Sequence, residues 1–449
     1  MTEVLDHAWI DSYKGLLTVP RNIHEHLRVA DGDTHKAMFL DSGFTVNPDL
    51  TPAVDLERVD SVDQDLAHLR DDIATHEEQQ VVRDAYLPRL TELRTNLTIL
   101  KAATAGDPEE FGTANVENFG EPDPGLTNSV LAFFHTFAEK EFAEGRTPEI
   151  VEAARRVRAV LPPYQPTDTM LGISDQDFAK GQALYADFYD ELLEGIDIPE
   201  EVTGQQGLGI VQAILDNGGS GYTAIEQKPG VTTASVQHEE QKLKFPMDVV
   251  YSRQQFIGLM GHEGEIHIKE RVNGYQQPLQ ILGSGLAFYL PGSEGKGVMA
   301  EQVLGSSFVE FMDSQRFFDI ARRYLSLGLA RGADGHEPRD FKDVFQIMNA
   351  LDSLWELIQN PDQPGSAGLH SVDRTWELLA MRTHRGYSHP GMAFLKDKLY
   401  LEGNLAQWNV LMRKPDLFPY LNLGKYDASN PDHIAVLCEA NILPGKFCL

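Results

Sequence analysis

The stretch that constrains this chain most runs from Ser252 to Gly274 and reads Ser-Arg-Gln-Gln-Phe-Ile-Gly-Leu-Met-Gly-His-Glu-Gly-Glu-Ile-His-Ile-Lys-Glu-Arg-Val-Asn-Gly. Ser252 with Gln255 forms a capping-box pattern and Asn273-Gly274 supplies a stop, so the spacing predicts one helix of about twenty residues. On it stands His262-Glu263-x-x-x-His267. In the shorter pattern H-E-x-x-H, two imidazoles one turn apart face a single metal ion and the intervening Glu is the general base. Five residues of a regular helix correspond to about 500°, which would leave His267 roughly 140° round from His262. Both can face one ion only if the helix absorbs the extra residue as a π-bulge, and Gly258, Gly261 and Gly264 make the stretch soft enough for that. His-Glu occurs at His24, His76, His238, His262 and His336, and of these His262 alone has a second histidine five residues on. Taken alone, the motif also reads as a helix carrying two surface histidines.

A zinc site needs a third protein ligand and an open position. Downstream lies Pro291-Gly-Ser-Glu294-Gly-Lys-Gly297, in which Glu294 is placed to open a second helix and face the first. The competing role for Glu294 is an ordinary first-turn acid that complements the helix dipole.

Charge and cysteine usage narrow the partners. The 449 residues hold 38 Lys+Arg against 68 Asp+Glu, a net of −30, which excludes nucleic acid and anionic lipid as partners held by bulk charge. With 42% hydrophobic residues the chain can bury a sizeable core. Two cysteines, Cys438 and Cys448, make no disulfide framework and suit a reducing compartment. The N-terminus shows no secretory signal pattern, and apolar runs such as Leu208 to Leu215 are far short of the roughly 20 residues that span a bilayer. The expectation is a soluble cytoplasmic protein with no membrane partner.

Residues 1–160 carry 15 basic and 30 acidic side chains, half of the whole deficit, and read as helical. From Leu56 to Ala105 apolar residues recur at helical spacing (Leu87, Leu90, Leu93, Leu97, Leu100), with further helices near Asn128–Glu144 and Pro148–Val160. Between them 106–125, rich in Gly, Pro and acid, reads as loop. Prolines in 161–166 mark a boundary, dividing an acidic helical region, 1–160, from a second unit, 161–449. In the second unit a helix is expected over Asp175–Leu193 and strands over 221–227 and 231–245, then mostly helix. Asn430-Pro431 starts a late helix and Gly386 closes the one over 375–385. The fold class is α+β, predominantly α-helical, with a small antiparallel sheet and an N-terminal helical extension.

His262-Glu-Gly-Glu-Ile-His267 is followed in order by Asn273-Gly274, Ser293-Glu294-Gly295-Lys296-Gly297, Arg382-Thr-His-Arg385-Gly386, Leu395-Lys396-Asp397-Lys-Leu-Tyr400-Leu-Glu-Gly403 and Gly424-Lys425. This series resembles the tyrosine carboxypeptidase-like metallopeptidases, among them the microtubule-associated tyrosine carboxypeptidase of animals and the bacterial flavohaemoglobin expression-modulating QEGLA-motif proteins. Their elements are H-E-I-G-T-H, N-G, QEGLA or EEGLA, R-x-x-R-G, T-K-D-x-x-Y-L-x-G and a late G-K. The resemblance spans 252–449, and more loosely reaches back to Asp175.

It implies a zincin-like metallopeptidase domain in 161–449, with Zn2+ held by His262, His267 and Glu294 and with Glu263 as general base. It further implies a substrate that is a peptide or protein C-terminal tail. Arg382, Arg385 and Lys396 are the candidates to grip the terminal carboxylate, and Tyr400 the candidate to stabilise the transition state. His384 and Tyr387 are weaker candidates, and Asp397 reads foremost as the N-cap of the next helix. Four departures stand out: Ser-Glu-Gly-Lys-Gly for QEGLA, Glu265-Ile266 inside the histidine motif, Glu270 where the family usually has Arg, and Leu395 before Lys396. The altered element also admits a regulatory or binding protein that keeps the fold without turnover, and an aminopeptidase-like or dipeptidyl-peptidase zinc enzyme is a further alternative, since dipeptidyl peptidases also use H-E-x-x-x-H. A net of −30 offers no bulk attraction to an acidic tubulin tail, so tubulin is discounted as the substrate.

Overall fold

Side-chain caps start four helices of the first third. Asp55, Asp107, Asp123 and Thr147 each accept a bond from the main-chain N–H three residues on, opening Leu56–His76, Pro108–Phe119, Pro124–Glu144 and Pro148–Val160. The computed structural model describes residues 3–21, 23–29, 31–229, 231, 233–305, 307–362 and 364–448, without the side chains of 364–367 and 369. The periodic stretch from Leu56 to Ala105 is two helices, the second being Gln80–Ala105. The segment expected as loop, 106–125, contains the helix Pro108–Phe119. Its Asp107-Pro108 start is the same signal as Asn430-Pro431, which does cap Pro431–Glu439, and its apolar face buries Phe111, Ala114 and Phe119.

The first third does not stand apart as a packing unit. Leu90, Leu93, Leu97, Leu100 and Phe134 share one hydrophobic core with Phe318, Leu325, Phe345 and Leu354 from beyond residue 300. A second, smaller core gathers Val202, Val211, Leu243, Phe245, Phe256 and Met260. The long helix with the two histidines lies between them, contributing Ile266 to the first and Phe256, Met260 and Ile268 to the second.

The helix expected over Asp175–Leu193 is Asp175–Leu192. The strands are short: β1 Glu201–Thr203, β2 Thr223–Glu226, β3 Ser235–Gln237, β4 Lys242–Phe245 and β5 Val250–Ser252. β1 and β5 pair antiparallel, with Val202 opposite Tyr251. The other sheet is mixed rather than antiparallel: β4 lies in the middle, antiparallel to β3 but parallel to β2, with Thr223 opposite Lys242. The 231–245 segment folds back on itself as β3 and β4, which places β4 alongside β2 in the same direction. Thr232, within that segment, lies outside the described residues.

Three further expectations need correction. Asn273-Gly274 does not stop the histidine helix, which continues to Gln276. Gly274 instead lets the helix meet the 282–283 backbone, since a Cβ there would overlap Leu282 and Gly283. Asp397 precedes the helix Lys398–Arg413, yet its side chain caps no N–H. Cys438 and Cys448 are not free thiols: Asn441, at φ 55°, turns the chain back after Pro431–Glu439, and the two form a disulfide with Cα atoms 5.7 Å apart. Among the described residues, no helix is long and apolar enough to cross a membrane.

Candidate metal centre

The histidine helix begins as the sequence predicts. Ser252, the last residue of β5, accepts from Gln255 N–H while the Gln255 side chain returns a bond to Ser252 N–H. The helix is α over Arg253–Met260, π over Gly261–Ile268 and α again over Lys269–Gln276. The wide turn takes up the extra residue, so both imidazoles emerge on one side with ring centroids 4.9 Å apart. Asn422 secures that turn from outside by donating to the Glu265 carbonyl at 3.3 Å.

Glu294 arrives from the helix Leu290–Gln302, which runs against Lys398–Arg413. The two approach backbone to backbone at Gly295 and Gly403, where a Cβ on either would overlap the other chain. A Glu294 oxygen lies 3.8 Å from His262 Nε2 and 3.6 Å from His267 Nε2. Ligand atoms of the three residues all fall within 4.8 Å of one another. Donors about 2.0–2.2 Å from a tetrahedral zinc ion stand about 3.4 Å apart, and two imidazoles with one carboxylate leave a fourth position open. The residues present therefore fit the ion.

The other ring nitrogens are occupied, which aims both Nε2 atoms at Glu294. His262 Nδ1 lies 2.5 Å from Glu301, whose carboxylate receives two bonds from Arg316 at 2.6 and 2.9 Å. His267 Nδ1 lies 3.1 Å from Ser293 Oγ, which donates to Glu270 at 2.6 Å. Glu270 is ion-paired with Lys296, and both side chains are 0% exposed. Lys296 also donates to Leu421 O at 2.8 Å. The two departures at 270 and 296 thus answer each other in one buried chain, His267–Ser293–Glu270–Lys296. Such partners fix the tautomer of a metal-binding histidine.

Electrostatics reinforce the grouping. Burial opposes a charge on His262, but Glu301 and Glu294 outweigh it and raise its pKa to about 10. Burial opposes ionisation of Glu294, yet its bonds to His262 and His267 and the charge of Lys396 hold it well below the usual carboxylate value. Burial likewise opposes a charge on Glu301, which Arg316 and His262 bring down to about 2.

Glu263 follows His262 and is half-buried beside the ligands. Lys396 and Tyr400 both lie within the field of Glu294. Lys396 makes no hydrogen bond or ion pair among the described residues, and burial lowers its pKa. Arg382 is engaged by Asp397 at 3.0 Å. Arg385 donates to Met381 O and, at 2.6 Å, to His24 O. Tyr387 donates to Ala102 O at 2.9 Å, and His384 is fully buried away from the ligands.

Sequence reasoning missed Glu301, Arg316 and Ser293. A signal for Glu301 existed: it stands seven residues after Glu294, two turns along the same helix face.

The family model described as microtubule-associated tyrosine carboxypeptidase matches residues 165–354. This is the family that the ordered motifs resemble. The matched stretch holds His262, Glu263, His267, Glu294 and their partners Glu270, Lys296, Glu301 and Arg316, while Arg382, Arg385, Lys396 and Tyr400 lie beyond it. The match thus covers the candidate metal ligands and both sheets, and the first third of the chain lies outside it. No curated protein and no solved structure matches the chain.

Proposed function

We propose that this chain is a zinc-dependent carboxypeptidase that removes the last residue of a peptide or protein tail. The observation that carries the reading is the convergence of His262 Nε2, His267 Nε2 and a Glu294 oxygen within 4.8 Å. Zinc held by these groups would supply Lewis acidity, making a water acidic near neutral pH and polarising the scissile carbonyl. Glu263, next to His262, accepts the water's proton and delivers it to the leaving amine. Tyr400, whose hydroxyl is kept protonated by burial and by Glu294 and Asp397, donates to the oxygen on which negative charge develops. Lys396, without a hydrogen bond or ion pair among the described residues, adds positive charge beside Glu294. Glu301 and Ser293 hold the two imidazoles in the tautomers that present Nε2.

The Ser-Glu-Gly-Lys-Gly element motivates a non-catalytic reading, but Lys296 is matched by Glu270 and Gly297 leaves room for His262. The family name points to a protein tail ending in tyrosine. The chain's net charge of −30 gives no long-range attraction to an acidic tail such as that of tubulin, so the proposed tail is of another composition.

Purified protein should carry about one zinc per chain, and Glu263→Gln should keep the metal while abolishing release of the terminal residue. Metal analysis that finds no zinc at neutral pH would sink the proposal.

A further inference from the structure

A second group of cations lies within the field of the candidate ligands, for Glu294 acts on Lys425 and His267 on its neighbour His238. Lys425 is 2% exposed, yet among the described residues no carboxylate pairs with it. Its Nζ lies 3.0 Å from His238 Nε2, and His238 Nδ1 lies 2.9 Å from the Tyr222 hydroxyl. His238, whose pKa burial holds well below the usual imidazole value, is uncharged and supplies no countercharge. Arg271, on the histidine helix, stacks over Tyr275 at 5.2 Å and has its Nη1 buried without a hydrogen-bond partner. Arg21, from the N-terminal part, is 11% exposed and has one ion pair, to Glu239 at 3.2 Å.

These side chains sense one another. Burial, then Lys425, Arg21, Arg271 and His267, depress the pKa of His238; burial, then Arg21 and Arg271 against Glu270 and Glu294, hold that of Lys425 well below the usual ammonium value, a shift that an arriving anion would reverse. Glu270 is already taken by Lys296 and Ser293, and Glu294 faces the two histidines. Glu239, 47% exposed, is the one carboxylate bonded to any of the three cations among the described residues. Cations so crowded repel unless an anion joins them.

We infer that Lys425, Arg271 and Arg21 form the subsite that receives the substrate's terminal carboxylate. The inference rests on the carboxypeptidase reading and assigns the grip to residues other than Arg382 and Arg385. Those two are committed to Asp397 and to main-chain carbonyls. The free edge of the Arg271 guanidinium and the Lys425 ammonium offer N–H donors to both oxygens of a carboxylate. Arg21 gives the N-terminal region a part in the site, although that region lies outside the family match.

The test uses full-length, zinc-loaded Glu263→Gln protein and two fluorescent pentapeptides ending in Tyr, one a free acid and the other its C-terminal amide. Binding followed by anisotropy should favour the free acid by about tenfold or more, the scale of one charge-assisted bond. Adding Lys425→Met or Arg271→Met should bring the two peptides within about twofold at unchanged zinc content, and Lys425→Arg should restore the preference. Arg21→Gln, at a partly exposed position, should weaken the preference even if Lys425→Met fails to fold. Lys396→Met should retain it. If Lys425→Met and Arg271→Met keep the preference, or if Lys396→Met alone erases it, the inference is overturned and the carboxypeptidase reading stands. If the parent protein shows no preference with zinc bound, both fall.

Discussion

Replacing Lys296 with Met tests the buried chain behind His267. Lys296 and Glu270 are both 0% exposed, and Glu270's remaining side-chain bond is the one it receives from Ser293. Removing the ammonium leaves a carboxylate buried without a countercharge, a loss of about 3–5 kcal/mol. In metal-free protein the thermal midpoint should fall by about 3–5 °C. Without Lys296 to hold it, Glu270 no longer orders the Ser293 hydroxyl, so His267 loses its fixed acceptor and zinc affinity should fall about 10–100-fold. The double variant Glu270→Gln, Lys296→Met carries no orphan charge and should recover most of the stability, although not the zinc affinity. Thermal unfolding with chelator present, together with zinc competition against a chromophoric chelator, reads the two effects separately. A single variant as stable as the double one would refute the account of the pair. Unchanged zinc affinity in both would refute the link to His267.

Two further outcomes follow from single residues. A Cβ on Gly297 would stand 2.6–2.8 Å from the His262 ring, which Glu301 and Arg316 prevent from moving away; Gly297→Ala should therefore cost about 1–3 kcal/mol from overpacking and weaken zinc binding, and affinity within twofold of the parent would contradict it. His384 is fully buried, and burial pushes its pKa down to about 4 against its bond to the Tyr387 carbonyl. The unfolded chain then binds the extra proton between about pH 6.5 and 4, so stability falls as pH falls through that window, by up to about 3 kcal/mol. His384→Gln should make the urea midpoint less steep in pH across that range, and an unchanged slope would remove His384 from the account.

The legible parts of the sequence were local ones. The capping box at Ser252 and Gln255, the five-residue histidine spacing and three nearby glycines specify a π-turn, because no regular helix satisfies both imidazoles. Helix starts marked by Asp-Pro or Asn-Pro were equally readable, and 106–125 was misread because its glycines and acids outweighed the Asp107-Pro108 signal. Glu294 was recognisable by resemblance, but its packing partner was not: the approach at Gly295 and Gly403 joins segments more than a hundred residues apart. The pairing of Glu270 with Lys296 looked like two separate departures until the fold put them in one buried chain. No local pattern marks Arg21 or Lys425 as neighbours, since only the tertiary fold brings the first and last parts of the chain together. The cysteines show the same limit, because composition reports how many there are and not that a turn at Asn441 brings them together.

The π-turn fixes a phase as well as a spacing. One added residue in a single turn rotates everything after it by about 100° relative to an unbroken α-helix. Deleting Gly264, where an added Cβ would meet nothing within 4 Å, would restore four-residue spacing between the histidines at no evident local cost. The same deletion would swing Glu270 out of line with Ser293 and Lys296 and carry Gly274 away from the 282–283 backbone. The two histidine spacings are therefore not neighbouring variants that a one-codon change can exchange. Moving between them would require recutting the buried face of Lys269–Gln276 in the same step, so the length of this helix is inherited together with its interior.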